Sequence, residues 1–426
     1  MFLFRHLFVL GALGLTTAAG AQEPARPGGP AAPAVPAEQP QPDSTDSTVR
    51  FRLPTITVTA QKEVEDIQEA PVSVTAVTAE VLEQTGARSV SEASQLAPNT
   101  FFSEFTARKL SNPRFRGIGS SPNNPGVTTY VDGVPQLNAN SSSIELLEID
   151  QIEFVRGPQS ALFGRNTLGG LVNITSARPS LAKWTGSIIA PFGNFKAGDV
   201  RATASGPVIA DKLAVSFGAG YSGREGFTIN DITGHDLDSR SAFFGKAQVL
   251  WTPNADWQIR GILNGERARD GDYALNDLQA LRANPFHAAR DLEGYTNRDL
   301  VSPTLLVSHV GKTIDLFSTT GFVWWKTADL TDLDYTPLSI LTRDNRERDL
   351  QFTQEFRVAP AKNAARALSK DITLRWQAGL FLFTQGYTQQ AVNSFAPSVL
   401  SPQLFFPITQ HLLDASLDDK GVGVYG

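Results

Sequence analysis

The chain has 426 residues and a formal charge of −6; 41% of it is hydrophobic and 19% charged, with no Cys and a single Met at the start. This excludes a thiolate nucleophile, a thiolate metal site and a disulfide framework, and argues against a nucleic-acid binder with a broad basic face. The 35 Gly and 26 Pro speak against a regular helical protein, and beyond residue 20 no apolar run approaches the roughly 18 to 20 residues of a membrane-spanning helix, so any crossing of a membrane must be made by strands.

In chain order, Arg5 and His6 precede an apolar run from Leu7 to Leu15 and small residues ending at Ala21. That order predicts a secretory signal peptide over 1–21, cleaved before Gln22. Residues 22–53 carry Pro at 24, 27, 30, 33, 36, 40 and 42, too little apolar surface to offset chain entropy, and predict a semi-extended tether. Next comes LPTITVTAQK, in which Thr55, Ile56, Thr57, Val58 and Thr59 are all β-branched. It reads as a strand with no neighbour in its own sequence, suited to adding onto another protein's sheet edge.

Residues 63–182 predict a small α+β domain. VSVTAV from Val72 reads as a strand; Thr78 caps a short helix stopped by Gly86, and Ser89 with Glu92 makes a capping box for a second helix ending before Pro98. Three Gly-containing clusters follow: RFRGIG from Arg114, TYVDGVP from Thr129, and IEFVRGPQSALFGRNTLGGLVNITSARP from Ile152. Asp132-Gly133 is a hairpin turn signal, while Gly157-Pro158 and Gly169-Gly170 flank strands. Neither phosphate-binding glycine pattern is present, so no nucleotide site is expected.

These segments, ITVTAQK, RFRGIG, YVDGVP and the long IEFVRGPQSALFGRNTLGGLVNITSARP, resemble in order and separation the TonB box and plug domain of TonB-dependent outer-membrane receptors, over about Thr55 to Pro179. The resemblance implies an α+β plug followed by an antiparallel transmembrane β-barrel. It implies a receptor, not an enzyme, importing a scarce nutrient with energy passed from the inner membrane through TonB. It divides the chain into signal peptide 1–21, tether 22–53, TonB box 54–62, plug 63–182 and barrel 183–426. By position, Thr55, Ile56, Thr57, Val58 and Thr59 would contact TonB. Arg116, Gly117, Asp132, Gly133, Gly169 and Gly170 would be plug framework, and Glu153, Arg156 and Gly157 the core strand seating the plug on the wall. Arg116 and Arg156 are expected to be buried against carboxylates.

The barrel reading also stands on composition. All six Trp (184, 251, 257, 324, 325 and 376) and every Tyr but Tyr130 lie after residue 183, as interface girdles require. Alternation agrees: Leu213, Val215, Phe217, Ala219 and Tyr221 share one face, as do Trp257, Ile259, Gly261 and Leu263, with Ile262 an exception on the polar side. Between Ile372 and Leu382 the alternation recurs, although Phe381 and Phe383 break its polar face. Ten strands are predicted, near 184–192, 198–207, 212–223, 240–252, 256–266, 303–312, 314–326, 350–358, 371–385 and 420–426. A plugged barrel of 22 strands at about 10 residues each needs roughly 220 residues in strands alone, which would leave about one residue per connection after 183. The expectation is therefore an N-terminal part of a receptor with about ten of 22 strands, unstable by itself because its edges would lie open.

For the ligand, the five dispersed His offer no metal-binding spacing, so no metal site or cofactor is expected and any iron would arrive inside a chelator. Phe102, Phe105, Arg108, Lys109 and Arg114 are candidate ligand-facing residues, suited to an anionic, ring-bearing chelate; packing within the plug or pairing with barrel carboxylates is the equal alternative. Gly271 to Arg298 reads as a long outer loop. The expected partners are TonB with its inner-membrane complex, a ferric siderophore and outer-membrane lipid, but not nucleic acid. Cobalamin, an oligosaccharide or a plant aromatic is the alternative cargo.

Overall fold

The computed structural model describes residues 55–104, 108–119, 125–361, 366–367, 373–374, 376–397, 401–403 and 405–426. The predicted signal peptide and tether, and Phe105, lie outside the described residues.

The first domain is a five-stranded mixed sheet ordered Ser73–Thr78, Ile149–Arg156, Gly170–Ser176, Val127–Val131, Val134–Gln136. Its local chemistry follows the sequence. Thr78 Oγ1 caps the helix Ala79–Thr85, which ends at left-handed Gly86, and Ser89 and Glu92 form both halves of a capping box on Val90–Ser94. Asp132 and Gly133 both take positive φ in the hairpin joining Val131 to Val134, as do Arg116 and Gly117 in the turn after Phe115. Gly170 lies at φ +135, and a Cβ there would come within 2.1 Å of the Val155 carbonyl oxygen, so only glycine lets these two strands meet. Fully buried Phe115, Ile152, Phe154, Val172 and Ile174 form the core beneath the two helices, each side chain worth about 1.5 to 3 kcal/mol of transfer free energy.

The second domain is a meander of ten long strands paired antiparallel in chain order: Thr185–Ile189, Ala197–Ile209, Leu213–Arg224, Arg240–Asn254, Trp257–Gly271, Tyr295–Val310, Ile314–Asp332, Leu341–Pro360, Ala378–Phe395 and Ile408–Tyr425. All ten predicted strands are present. Several run further than expected on the side of the long connections, because polar residues there face polar surroundings on both sides and carry no alternation. Three strand pairs are joined by tight turns at 210–212, 255–256 and 311–313, and long loops at 225–239 and 272–294 lie at the opposite end.

The two faces of this wall are chemically distinct. Phe217, Phe243, Leu263, Leu305, Phe322, Leu350 and Phe356 are exposed on the outer face, whereas Arg260, Glu266, Arg298, Thr327, Asp329, Glu347 and Gln351 are buried on the inner face against the first domain. That is the alternation of a membrane barrel with a polar lumen. Among the predicted exceptions, Ile262 is indeed on the buried inner side, and Phe383 there lies under the Arg165 guanidinium at 5.3 Å. The wall takes up the plug closely at Gly321, where a Cβ would lie 2.4 Å from Val134; Val134 instead packs with Leu300, Val323, Trp325 and Tyr387.

Candidate functional site: the plug and its two attachments

At the tight-turn end of the wall, the segment Thr55–Lys62 is folded onto the plug. The structure corrects the expectation of a strand without a neighbour: Thr57–Val58 pairs antiparallel with Glu65–Asp66 across a turn in which Lys62 takes φ 64. The hydrophobic requirement of Val58 explains this, for it is fully buried with Ala60, Tyr130, Val155 and Leu171. A second correction concerns Glu153. Its carboxylate does not meet the wall; it accepts from Thr59 N at 2.8 Å, Thr59 Oγ1 at 3.0 Å and Gln151 Nε2 at 2.6 Å, while Asn173 Nδ2 donates to Thr59 Oγ1 at 2.9 Å. Burial raises the Glu153 carboxyl above its ordinary range, against the pull of these donors. Among the described residues the segment meets the wall at its end, where Lys62 pairs with Glu355 beside Tyr425 and the Gln61 carbonyl accepts from Gln377 at 3.1 Å.

At the long-loop end, plug cations enter the wall. Arg108 donates to Glu145 at 3.1 Å and to Asp270, and Lys109 pairs with Asp329 and, at 2.7 Å, with Glu347. In the reverse direction, wall Arg298 donates to the plug carbonyls of Asn140 at 2.8 Å and Ser143 at 2.7 Å, and nearer the tight turns Arg260 donates to those of Ser176 and Ala177, both at 2.9 Å. Gln351 closes the hairpin contact, donating to the Pro135 carbonyl at 2.6 Å and accepting from Leu137 N at 3.2 Å.

Above Lys109 a cleft of about 620 Å³ is bordered by Tyr273, Tyr335, Arg343 and Tyr387. Its rim is knitted by Arg290. The Arg290 backbone N donates to Asn230 Oδ1 at 3.0 Å, its guanidinium lies 3.5 Å from Asp272, and it stacks 4.7 Å from the Tyr335 ring centroid. Burial pushes the Asp272 carboxyl up to about 6, against the pull of Arg290. The loops 225–239 and 272–294 are also joined by a parallel pairing of Ile229–Asn230 with His287–Ala288.

Residues 66–171 match the TonB-dependent Receptor Plug Domain model. The chain carries the plug domain of the TonB-dependent receptors. Over 233 residues it is 29% identical to the pesticin receptor of Yersinia pestis, covering 53% of this chain and 34% of that one. Over 234 residues it is 25% identical to the vitamin B12 transporter of Vibrio cholerae, covering 54% of this chain and 37% of that one. The chain thus spans about a third of the length of these curated relatives. Among solved structures, the ferric yersiniabactin uptake receptor FyuA of Yersinia pestis superposes with a TM-score of 0.64 at 19% identity, covering 82% of this chain and 61% of that one; at that identity it speaks for the fold.

Within this receptor fold the sequence-derived positions separate. Asp132 is framework in a specific sense: its carboxylate accepts from Ser176 N and Ser176 Oγ, both at 2.8 Å, fixing the end of the neighbouring strand. Gly157 N donates to the Gly169 carbonyl at 2.9 Å. Arg116 and Arg156 do not meet carboxylates as expected. Arg116 is exposed, and Arg156 donates to the hydroxyls of Ser73 at 3.1 Å and Thr75 at 2.7 Å. A β-turn tip carries Arg116, and the end of an interior strand carries Arg156, to places where no carboxylate pairs with them among the described residues.

Of the candidate ligand-facing residues, Phe102 is 4% exposed in the plug core, Arg114 is exposed, and Arg108 and Lys109 are neutralised by wall carboxylates. Sequence reasoning missed Asp270, Asp329 and Glu347. Alternation could have placed them on the lumen face, but nothing local marks which plug cation each receives.

Proposed function

We propose that the protein acts as a TonB-dependent outer-membrane transporter that takes up a ferric siderophore. The carrying observation is the placement of two features at opposite ends of one plug: the β-branched Thr55–Thr59 segment beside the tight turns, and the cleft over Lys109 beside the long loops. Outer-membrane barrels keep their short turns in the periplasm, so Thr55, Ile56, Thr57, Val58 and Thr59 would meet TonB there once released, adding a strand to its sheet. Residues 1–21 would be the export signal and 22–53 the reach toward the inner-membrane complex.

The likeness to the ferric yersiniabactin uptake receptor favours an iron chelate, and three tyrosines beside Arg343 suit an anionic ring-bearing ligand. Lys109, which lines that cleft, would face it as an ion-paired cation. The reading is of transport without catalysis. The test is uptake by iron-starved cells carrying the gene, supplied with radiolabelled iron on a hydroxamate or a catecholate chelate, and separately with labelled cobalamin. TonB-dependent accumulation of iron supports the proposal. Accumulation of cobalamin alone, or of neither, overturns the siderophore assignment.

A further inference from the structure

On the four adjacent strands from Trp257–Gly271 to Leu341–Pro360 the outer face changes character at a single level. Along Ile314–Asp332 the outward residues from Ile314 to Trp324 are mainly apolar, and roughly ten residues at about 3.3 Å each, tilted by about 40°, cover about 25 Å, the height of a membrane belt. The last row of that belt, on four adjacent strands, is Gly265, Val301, Trp324 and Leu350 in register. One step higher the aligned row is Arg267, Asp299, Lys326 and Arg348. The row above it adds Arg269, paired with Asn297, and Arg346, paired with Ala328. Five cations therefore lie in the first two rows beyond the hydrocarbon, over a patch about 14 Å by 7 Å from strand and residue spacings.

Their charge is not cancelled locally. Asp299 lies 2.7 Å from Arg269 and 3.4 Å from Lys326, and Asp344 lies 3.0 Å from Arg346. Arg267 and Arg348 make no ion pair among the described residues, and both are exposed. Arg269, Lys326, Arg346 and Arg348 border a cleft of about 610 Å³, with Asp414 on its far side. None of the five cations faces the lumen, so neither the plug nor a transported ligand accounts for them. Arginine clusters at this depth present forked donors where lipid phosphates lie.

We infer that Arg267, Arg269, Lys326, Arg346 and Arg348 form a docking site for a phosphate-bearing lipid headgroup of the membrane leaflet on the long-loop side. The inference rests on the barrel's lying in a bilayer, and is independent of which nutrient is carried.

The test uses the detergent-purified receptor and two probes, a diphosphorylated glycolipid and its dephosphorylated counterpart, with bound lipid counted by native mass spectrometry. The wild type should retain the phosphorylated probe alone. Arg348→Ser should weaken it about fivefold and Arg267→Ser/Lys326→Ser/Arg348→Ser about a hundredfold, with heat-modifiable migration of the folded barrel and nutrient uptake both kept. Equal retention of the two probes, unchanged affinity in the folded variants, or displacement of the lipid by millimolar inorganic phosphate would each overturn the proposal; the last would indicate a free-anion site. Loss of uptake without loss of lipid would instead bear on the transport reading.

Discussion

The two ends of the plug are fastened by different chemistry. At the long-loop end Arg108 and Lys109 are each shared between two carboxylates, with side chains 4 to 8% exposed. At the tight-turn end Thr57–Thr59 is attached through one carboxylate, hydrogen bonds from Gln151 and Asn173, a two-residue ladder and the burial of Val58, and among the described residues the segment reaches the wall through Gln61 and Lys62. Buried charge pairs are costly to break singly; hydrogen bonds that water can replace are worth about 0.5 to 1.5 kcal/mol net. A pull on the segment should therefore free it long before the plug leaves the wall.

The strongest way to break this asymmetry is Lys109→Met, which leaves Asp329 and Glu347 facing each other without a cation. Removing one partner of a buried pair costs about 3 to 5 kcal/mol, and Asn140 and Tyr387, which donate to Glu347 at 3.0 and 2.8 Å, recover only part of it. The expected result is a lowered unfolding midpoint of the plug in urea and increased entry of bulky antibiotics. Asp329→Asn/Glu347→Gln on the Lys109→Met background should restore most of both; an unchanged midpoint would show that the wall does not depend on this pair.

Val58→Pro acts at the other end. It removes an amide donor and a fully buried side chain, loosening the segment by about 2 to 3 kcal/mol while leaving the cleft over Lys109 untouched. Energised uptake should be abolished because the same amide is needed for strand addition, whereas ligand binding at the cell surface should persist. Parallel loss of both would show that the segment supports the plug rather than transmitting force to it.

Much of this was legible in the sequence because it is local. The capping box at Ser89 and Glu92, the Asp132-Gly133 turn and the existence of ten strands each depend on residues close together in the chain. What was not legible depends on contacts between distant residues: Glu153 with Thr59 is separated by 94 positions and Lys109 with Asp329 by 220. Arg156 shows how this misleads. Its motif suggested a buried ion pair, yet its partners are hydroxyls on the adjacent strand. Arg156→Ala should accordingly cost about 1 to 2 kcal/mol, and an effect above about 3 in urea unfolding would reinstate a charged partner.

The smallest expected effect tests the tight-turn attachment by pH. Burial is the largest influence on Glu153 and raises its pKa, despite the donors on Thr59, Gln151 and Asn173. Released from the segment, the carboxyl would be hydrated and titrate nearer about 4.3. The docked state therefore binds a proton at higher pH than the released one. By linkage the docking contribution of this group is fully present below the released-state pKa and is lost as pH rises through the raised, docked-state pKa. A spin label at Ile56→Cys, which replaces a side chain 40% exposed, should become more mobile on going from acidic to neutral pH. Glu153→Gln keeps acceptor capacity without a titrating proton, so its mobility should be flat over the same range. Mobility that instead rises on acidification would mean that the hydrogen bonds from Thr59 outweigh burial, and that the segment is released by protonating Glu153 rather than by ionising it.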